Sequence, residues 1–287
     1  MMAIKHILLL LALVSSALAQ EAIHSSLSTY YENKTFSGSK QKEDGVVYGV
    51  GADIHFSGSE IKLTYEQGDT NTIKSPTLTE DLETKKIFFK YAYRFDRNFE
   101  LNVNYIGIED NLVETDGGII AGGGISYYFN KKASLNFTQY FSDYKKFDTF
   151  QSDLRLDYKT KIGRVKVKFS SITKYIYIED TNSTSTLTPN TQEYYTTTGI
   201  KIHSHYNSYH LGVGAYFGGR VFAIMDDGFK IQHHAMEFDR TYAIGAGKTL
   251  SDFVLRFQYI YQRAEELPMQ NKDVEVQNLR FTANYKF

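Results

Sequence analysis

The sequence predicts an all-β fold. The expected architecture is an antiparallel up-and-down β-barrel of about fourteen strands, with twelve as the alternative count, spanning 20–287 as a single domain behind a leader at 1–19. Three observations carry this. Apolar and polar residues alternate with a period of two from end to end, the signature of strands with two unlike faces. Beyond residue 20 no stretch sustains a helical period. Connections alternate between tight polar turns and longer loops rich in charge, Thr, Asn and Pro, and a meander of that length must close or shield its edges.

The leader comes first. Lys5 and His6 precede an apolar run over 7–14, and Ser15-Ser16-Ala17-Leu18-Ala19 gives an A-x-A cleavage pattern before Gln20. A membrane-spanning helix needs roughly 20 apolar residues, so this short run reads as a secretory signal peptide. Cleavage after Ala19 leaves 268 residues.

Strands are expected at 26–36, 46–56, 60–68, 84–95, 99–109, 117–129, 133–143, 149–159, 164–178, 194–203, 208–218, 238–249, 252–263 and 274–287. Their faces are explicit. Ile61, Leu63 and Tyr65 oppose Glu60, Lys62, Thr64 and Glu66, and Ile87, Phe89, Tyr91 and Tyr93 oppose Lys86, Lys90 and Arg94. Phe150, Leu154, Leu156 and Tyr158 oppose Gln151, Asp153, Arg155, Asp157 and Lys159. Val165, Val167 and Phe169 oppose Lys166, Lys168, Ser170 and Lys174, while Phe253, Leu255 and Phe257 oppose Arg256 and Gln258. The tight connections are Ser57-Gly58-Ser59, Asp96-Arg97-Asn98, Asn130-Lys131-Lys132, Lys161-Ile162-Gly163 and Ser251-Asp252; the long ones include 67–82, 180–192, 219–237 and 265–272.

Composition narrows the classes. Lys+Arg number 32 against 33 Asp+Glu, a formal charge of −1, whereas a nucleic-acid binder carries a basic excess. The absence of Cys excludes disulfides, thiolate metal sites, a Cys nucleophile and a lipoprotein attachment point. A mean hydropathy of −0.38 argues against helical membrane spans beyond the leader.

Alternation alone fits a soluble barrel as well as a membrane barrel. A fourteen-strand barrel is too wide for side chains to fill, so an apolar lumen would be a hole. The charged faces stay charged along whole strands, as a wet lumen permits. The chain also ends on Phe287, two residues after Tyr285 in an alternating last strand. Together these place the apolar faces outward, in lipid.

The segment from Leu279 through Phe281, Tyr285 and Phe287 resembles the C-terminal targeting strand of Gram-negative outer-membrane β-barrels, in which a terminal Phe follows another aromatic or apolar residue by two positions. That family favours Gly five residues from the end, and Thr282 stands there instead. By length the chain resembles the small monomeric fourteen-stranded porins. The resemblance implies a monomer in outer-membrane lipid, inserted by the barrel-assembly machinery, that lets small solutes or ions diffuse passively. It implies no cofactor, and no N-terminal plug fits before the first expected strand.

The expected pore-lining residues are Lys62, Glu66, Lys86, Lys90, Arg94, Glu100, Asp153, Arg155, Asp157, Lys166, Lys168, Lys174, Lys201, Arg256 and Arg280, with Glu32, Asp53, Glu60 and Lys286 also on that face. These are twelve basic against seven acidic, a weak anion preference that a loop folded inward could reverse. Tyr30, Phe88, Tyr128, Tyr140 and Tyr216 also face inward and could partly plug the lumen.

Two other classes remain open at this point. A barrel-borne hydrolase would need a histidine held by a carboxylate or nucleophile. His233 and His234 near Asp226 and Asp227 offer only proximity in sequence, and no catalytic or metal-binding set is expected. A non-conducting barrel would instead present its loops for contact. Asp180-Thr181-Asn182-Ser183-Thr184 resembles a bacterial N-glycosylation acceptor in an external loop, with Asn182 as its target.

Overall fold

The computed structural model describes residues 24–75, 78–111, 115–144, 147–179, 190–232 and 234–287; the leader, Asn182 and His233 lie outside these. The strands are β1 (His24–Ser37), β2 (Lys42–Phe56), β3 (Ser59–Thr72), β4 (Leu82–Arg94), β5 (Phe99–Asp110), β6 (Ile119–Tyr128), β7 (Ala133–Asp143) and β8 (Asp148–Ile162). They continue with β9 (Val165–Ile178), β10 (Tyr194–Tyr206), β11 (Tyr209–Arg220), β12 (Ile224–Met225), β13 (Lys230–Ile231), β14 (Met236–Leu250), β15 (Phe253–Glu266) and β16 (Asn271–Lys286). Fourteen form one closed antiparallel barrel, while β12 and β13 pair only with each other. Closure joins β1 to β16 from Ser26 opposite Lys286 to Ser37 opposite Glu275, which leaves no unpaired edge in lipid.

All fourteen expected strands are present, so the count is fourteen and not twelve. Several run further toward the long loops than alternation suggests: β3 reaches Thr72 and β15 reaches Glu266. Ladder pairing continues above the apolar layer, where both faces are polar and the period-2 signal vanishes.

The tight turns follow from local chemistry. Ser57 and Gly58 both take positive φ, at 40° and 78°, the pairing a two-residue hairpin turn demands. Asp96 Oδ1 accepts from the Asn98 and Phe99 amides at 2.6 and 2.7 Å, and Asn130 Oδ1 accepts from those of Lys132 and Ala133 at 2.7 and 3.0 Å. These turns, with the start of β1 and the end of β16, define one end of the barrel, here the turn side; the long connections define the loop side.

The exterior is apolar all the way round. Leu101, Val103, Leu154, Leu156, Ile200, Leu211, Val213 and Ile244 are 42–56% exposed, a band that only lipid would cover. Aromatic chains flank it. On the turn side Phe95, Phe99, Tyr127 and Phe129 touch in series at 5.7, 4.9 and 4.9 Å, and Phe253, Tyr285 and Phe287 at 4.7 and 4.8 Å. On the loop side Phe141, Phe150, Tyr177 and Tyr194 do so at 5.1, 6.0 and 5.1 Å. With no Trp in the chain, Tyr and Phe supply both interfacial belts.

Three inward tyrosines sit opposite glycines: Tyr30 faces Gly49, Tyr140 faces Gly122 and Tyr216 faces Gly199. A Cβ on those glycines would come within 2.1, 2.4 and 2.3 Å of ring carbons. The rings therefore lie over the neighbouring strand. They line the wall and do not cross the lumen, so these tyrosines are not its plug.

Candidate functional site

The connection between β11 and β14, expected as an external loop, turns into the barrel. Val221, Phe222, Ala223, Ile224, Met225, Ile231 and Ala235 are all buried. They pack with Phe88, Ile106, Ile120, Tyr144, Phe147 and Ile176 from the walls and rim. Gln151 on β8 clasps the segment through both ends of its amide, Nε2 donating to the Ile224 carbonyl at 2.7 Å and Oε1 accepting from the Ile224 amide at 2.8 Å.

The tip crosses the whole lumen in five consecutive residues. Lys201 on β10 donates to Asp226 at 2.6 Å, and Arg155 on β8 pairs with Asp227. A Cβ on Gly228 would come 3.2 Å from Asn104 Oδ1 on β5. The Phe229 ring lies 6.2 Å from that of Phe88 on β4, and Lys230 lies 3.8 Å from Glu32 on β1. In the closed order β1 and β8 are seven places apart among fourteen, which puts them on opposite walls.

Local sequence allows this path. Asp226, Asp227 and Gly228 take positive φ of 50°, 58° and 93° in succession, a conformation that Asp tolerates and Gly adopts freely. Phe222, also at positive φ, is a bulky residue in a costly conformation, and its burial among rings holds it there. Asp226 and Asp227 belong to this connection and not to a spanning strand. Lys201 at 2.6 Å holds the Asp226 carboxyl well below the usual carboxylate range. Burial pushes Asp227 up, but Arg155 and Lys90 more than reverse that and hold it at about 2.

The expected lining residues fall into clusters on the inner wall. Beside β1, Glu66 accepts from Lys86 at 2.8 Å and from Tyr30 Oη at 2.5 Å, while Arg280 donates to Glu32 at 2.6 Å. Across the lumen, Lys174 pairs with Asp153, and Asp157 takes Arg155 at 3.3 Å and Lys168 at 3.0 Å. Toward the turn side, Lys62 meets Glu60 at 2.9 Å, and Arg94 meets Glu100 at 3.2 Å with its guanidinium 4.0 Å from the centre of the Tyr128 ring. Lys90 lines a space of about 150 Å³ below the tip, together with Arg155 and Asp227. Lys166 and Arg256 lie near the turn-side ends of β9 and β15 and stand outside these clusters.

Sequence reasoning did not place Asp226, Asp227 and Lys230 in the lumen. The signal was the uninterrupted apolar run from Val221 to Met225, which a solvent-facing loop would not carry. His234, weighed as a hydrolase candidate, lies in the same connection at the loop side, and among the described residues no group of three His, Cys, Asp or Glu could hold a metal.

No family model and no curated protein matches this sequence. Solved structures do share the fold. A Pseudomonas aeruginosa FadL homologue aligns with a TM-score of 0.55 at 9% identity, over 92% of this chain and 90% of that one. The CymD monoaromatic hydrocarbon channel gives 0.54 at 9% identity, over 93% and 88%. A bacterial polysaccharide outer membrane secretin gives 0.54 at 9%, over 92% and 98%. At such identities the likeness is one of fold: this is a closed fourteen-strand antiparallel barrel, a fold it shares with these solved structures.

Proposed function

We propose that this chain is a channel of the Gram-negative outer membrane that passes small hydrophilic solutes or ions passively along the barrel axis, as a monomer and without catalysis. The supporting observation is the inner wall, where ionised and amide side chains run from the turn side up to the tip of the inserted connection. At the tip, Asp226 and Asp227 oppose Lys90, Arg155 and Lys201, and charges of opposite sign across a constriction select by size and field. A space of about 10 Å³ remains beside the tip among Asn136, Asp153, Lys174 and Tyr216, and the tip itself reaches from β8 to the opposite wall at β1. We infer from this crossing that the docked arrangement is the closed one and that conduction requires the connection to move. The basic side of the wall stays ahead after the tip's two carboxylates and Lys230 are added, so the open channel prefers anions weakly.

The second reading is a non-conducting barrel whose loops make its contacts, and the apolar layer around Phe222 favours it. Current through the refolded protein in a planar bilayer separates the two. Discrete openings with an anion-signed reversal potential in a salt gradient support the channel; an inserted barrel that stays silent supports display.

A further inference from the structure

The turn side of the lumen carries a concentration of positive charge that the fold does not neutralise. Two cross-strand rows build it. In one, Lys161 on β8 stands opposite Lys166 on β9, which stands opposite His205 on β10, which stands opposite His210 on β11. In the other, Lys159 stands opposite Lys168 and Lys168 opposite His203. All share the inward parity of Asp157, Ser170 and Lys201. Like charges directly opposite destabilise a sheet.

Compensation inside the chain is slight. Asp157 reaches Lys168 at 3.0 Å but is shared with Arg155. Among the described residues no carboxylate comes within ion-pair distance of Lys159, Lys161 or Lys166. The further charges acting on the histidines are Lys201, Arg256 and Lys286, all basic, and Asp226, which Lys201 already holds. The His205 and His210 rings lie 4.4 Å apart, and His203 lies against Gly212, where a Cβ would come 3.1 Å from its ring. These side chains bound a space of about 450 Å³.

We propose that this cluster is an anion-binding site for a phosphate-type ligand carrying at least two charged groups. The rows lie two residues apart along the strand, about 7 Å, and extend over strands spaced about 4.8 Å, an area that one phosphate would not span. Lysine serves phosphate groups as a compact point charge with three donors. Three histidines add further nitrogen donors around the same space.

The test is calorimetric titration of the refolded full chain in detergent with pyrophosphate, with inorganic phosphate as the single-group comparison. Pyrophosphate binds more tightly than phosphate, which reaches fewer of the cationic groups at once. K161Q/K166Q weakens it at least about tenfold and raises the thermal midpoint of the ligand-free barrel by relieving the like-charge row. Absence of pyrophosphate binding, or equal affinity in wild type and a folded K161Q/K166Q variant, overturns the site. Binding needs no conduction, so a silent barrel that binds pyrophosphate defeats the channel reading alone, and a conducting one that does not bind it defeats this site alone.

Discussion

Truncating Phe222 to Ala tests what keeps the inserted connection inside the barrel. Phe222 is 1% exposed where the chain leaves β11, with its ring 4.6 Å from Phe147 and 5.8 Å from Tyr144. Losing a buried Phe side chain costs about 3–5 kcal/mol. The left-handed backbone at 222 strains any residue but Gly, so a Phe-to-Ala difference reports packing. The charged tip contributes less. Asp227 is half exposed and Arg155 partly so, and a pair with that access to water is worth about 0–1 kcal/mol. The apolar root therefore outweighs the ion pair as the latch. At about 1.4 kcal/mol per factor of ten, F222A raises the undocked population by roughly two to three and a half decades, while D227N raises it less than about sixfold. Single-channel recording reads this as open probability, with heat-dependent gel mobility confirming an intact barrel. An F222A barrel that opens no more often than D227N would refute the packing argument.

The remaining predictions concern the wall, the tip and the last strand. Asp227 is depressed to about 2 when docked and returns to the usual ~3.9 when released. Its contribution to docking is thus complete above about pH 4 and lost as pH falls toward 2; open probability stays flat with respect to this group from neutral pH down to about 4 and rises only below, and a rise that begins near neutrality would assign the latch to other groups. Lys86 and Glu66 are 4% and 7% exposed at 2.8 Å, so K86M strands a buried carboxylate and costs about 3–5 kcal/mol. The double variant E66Q/K86M keeps a partner for Tyr30 and costs clearly less, as urea midpoints in lipid would show. Phe287 is 64% exposed on the lipid side, with its amide donating to the Ser25 carbonyl at 2.9 Å. F287A lowers assembled protein in cells severalfold while refolding in detergent is unchanged, if the terminal strand is read by the assembly machinery; equal cellular yields would remove that role.

The barrel was legible because its membrane layer forces two unlike faces on every strand. Ile61-Lys62-Leu63 and Leu154-Arg155-Leu156 announce their geometry, since a strand has only two directions for side chains. The turns were legible for the same local reason, in Asp96, Asn130 and Ser57-Gly58. Strand ends above the membrane were not, because Thr70 and Thr72 pair in the ladder where both faces are polar. The inserted connection escaped because its fold is set by partners distant in sequence. Ile224 meets Gln151, Phe222 meets Phe147 and Lys230 meets Glu32, and no periodicity encodes such pairings. The tyrosine–glycine pairs were visible only as separate residue types until the register joined them.

Single-channel current from the refolded wild type and its F222A variant, recorded together in planar bilayers under a salt gradient, tests the channel reading most directly. Rare, discrete openings in wild type, frequent ones of the same size in F222A, and an anion-signed reversal potential in both are expected. Inserted barrels that remain silent in both proteins would contradict a conducting role.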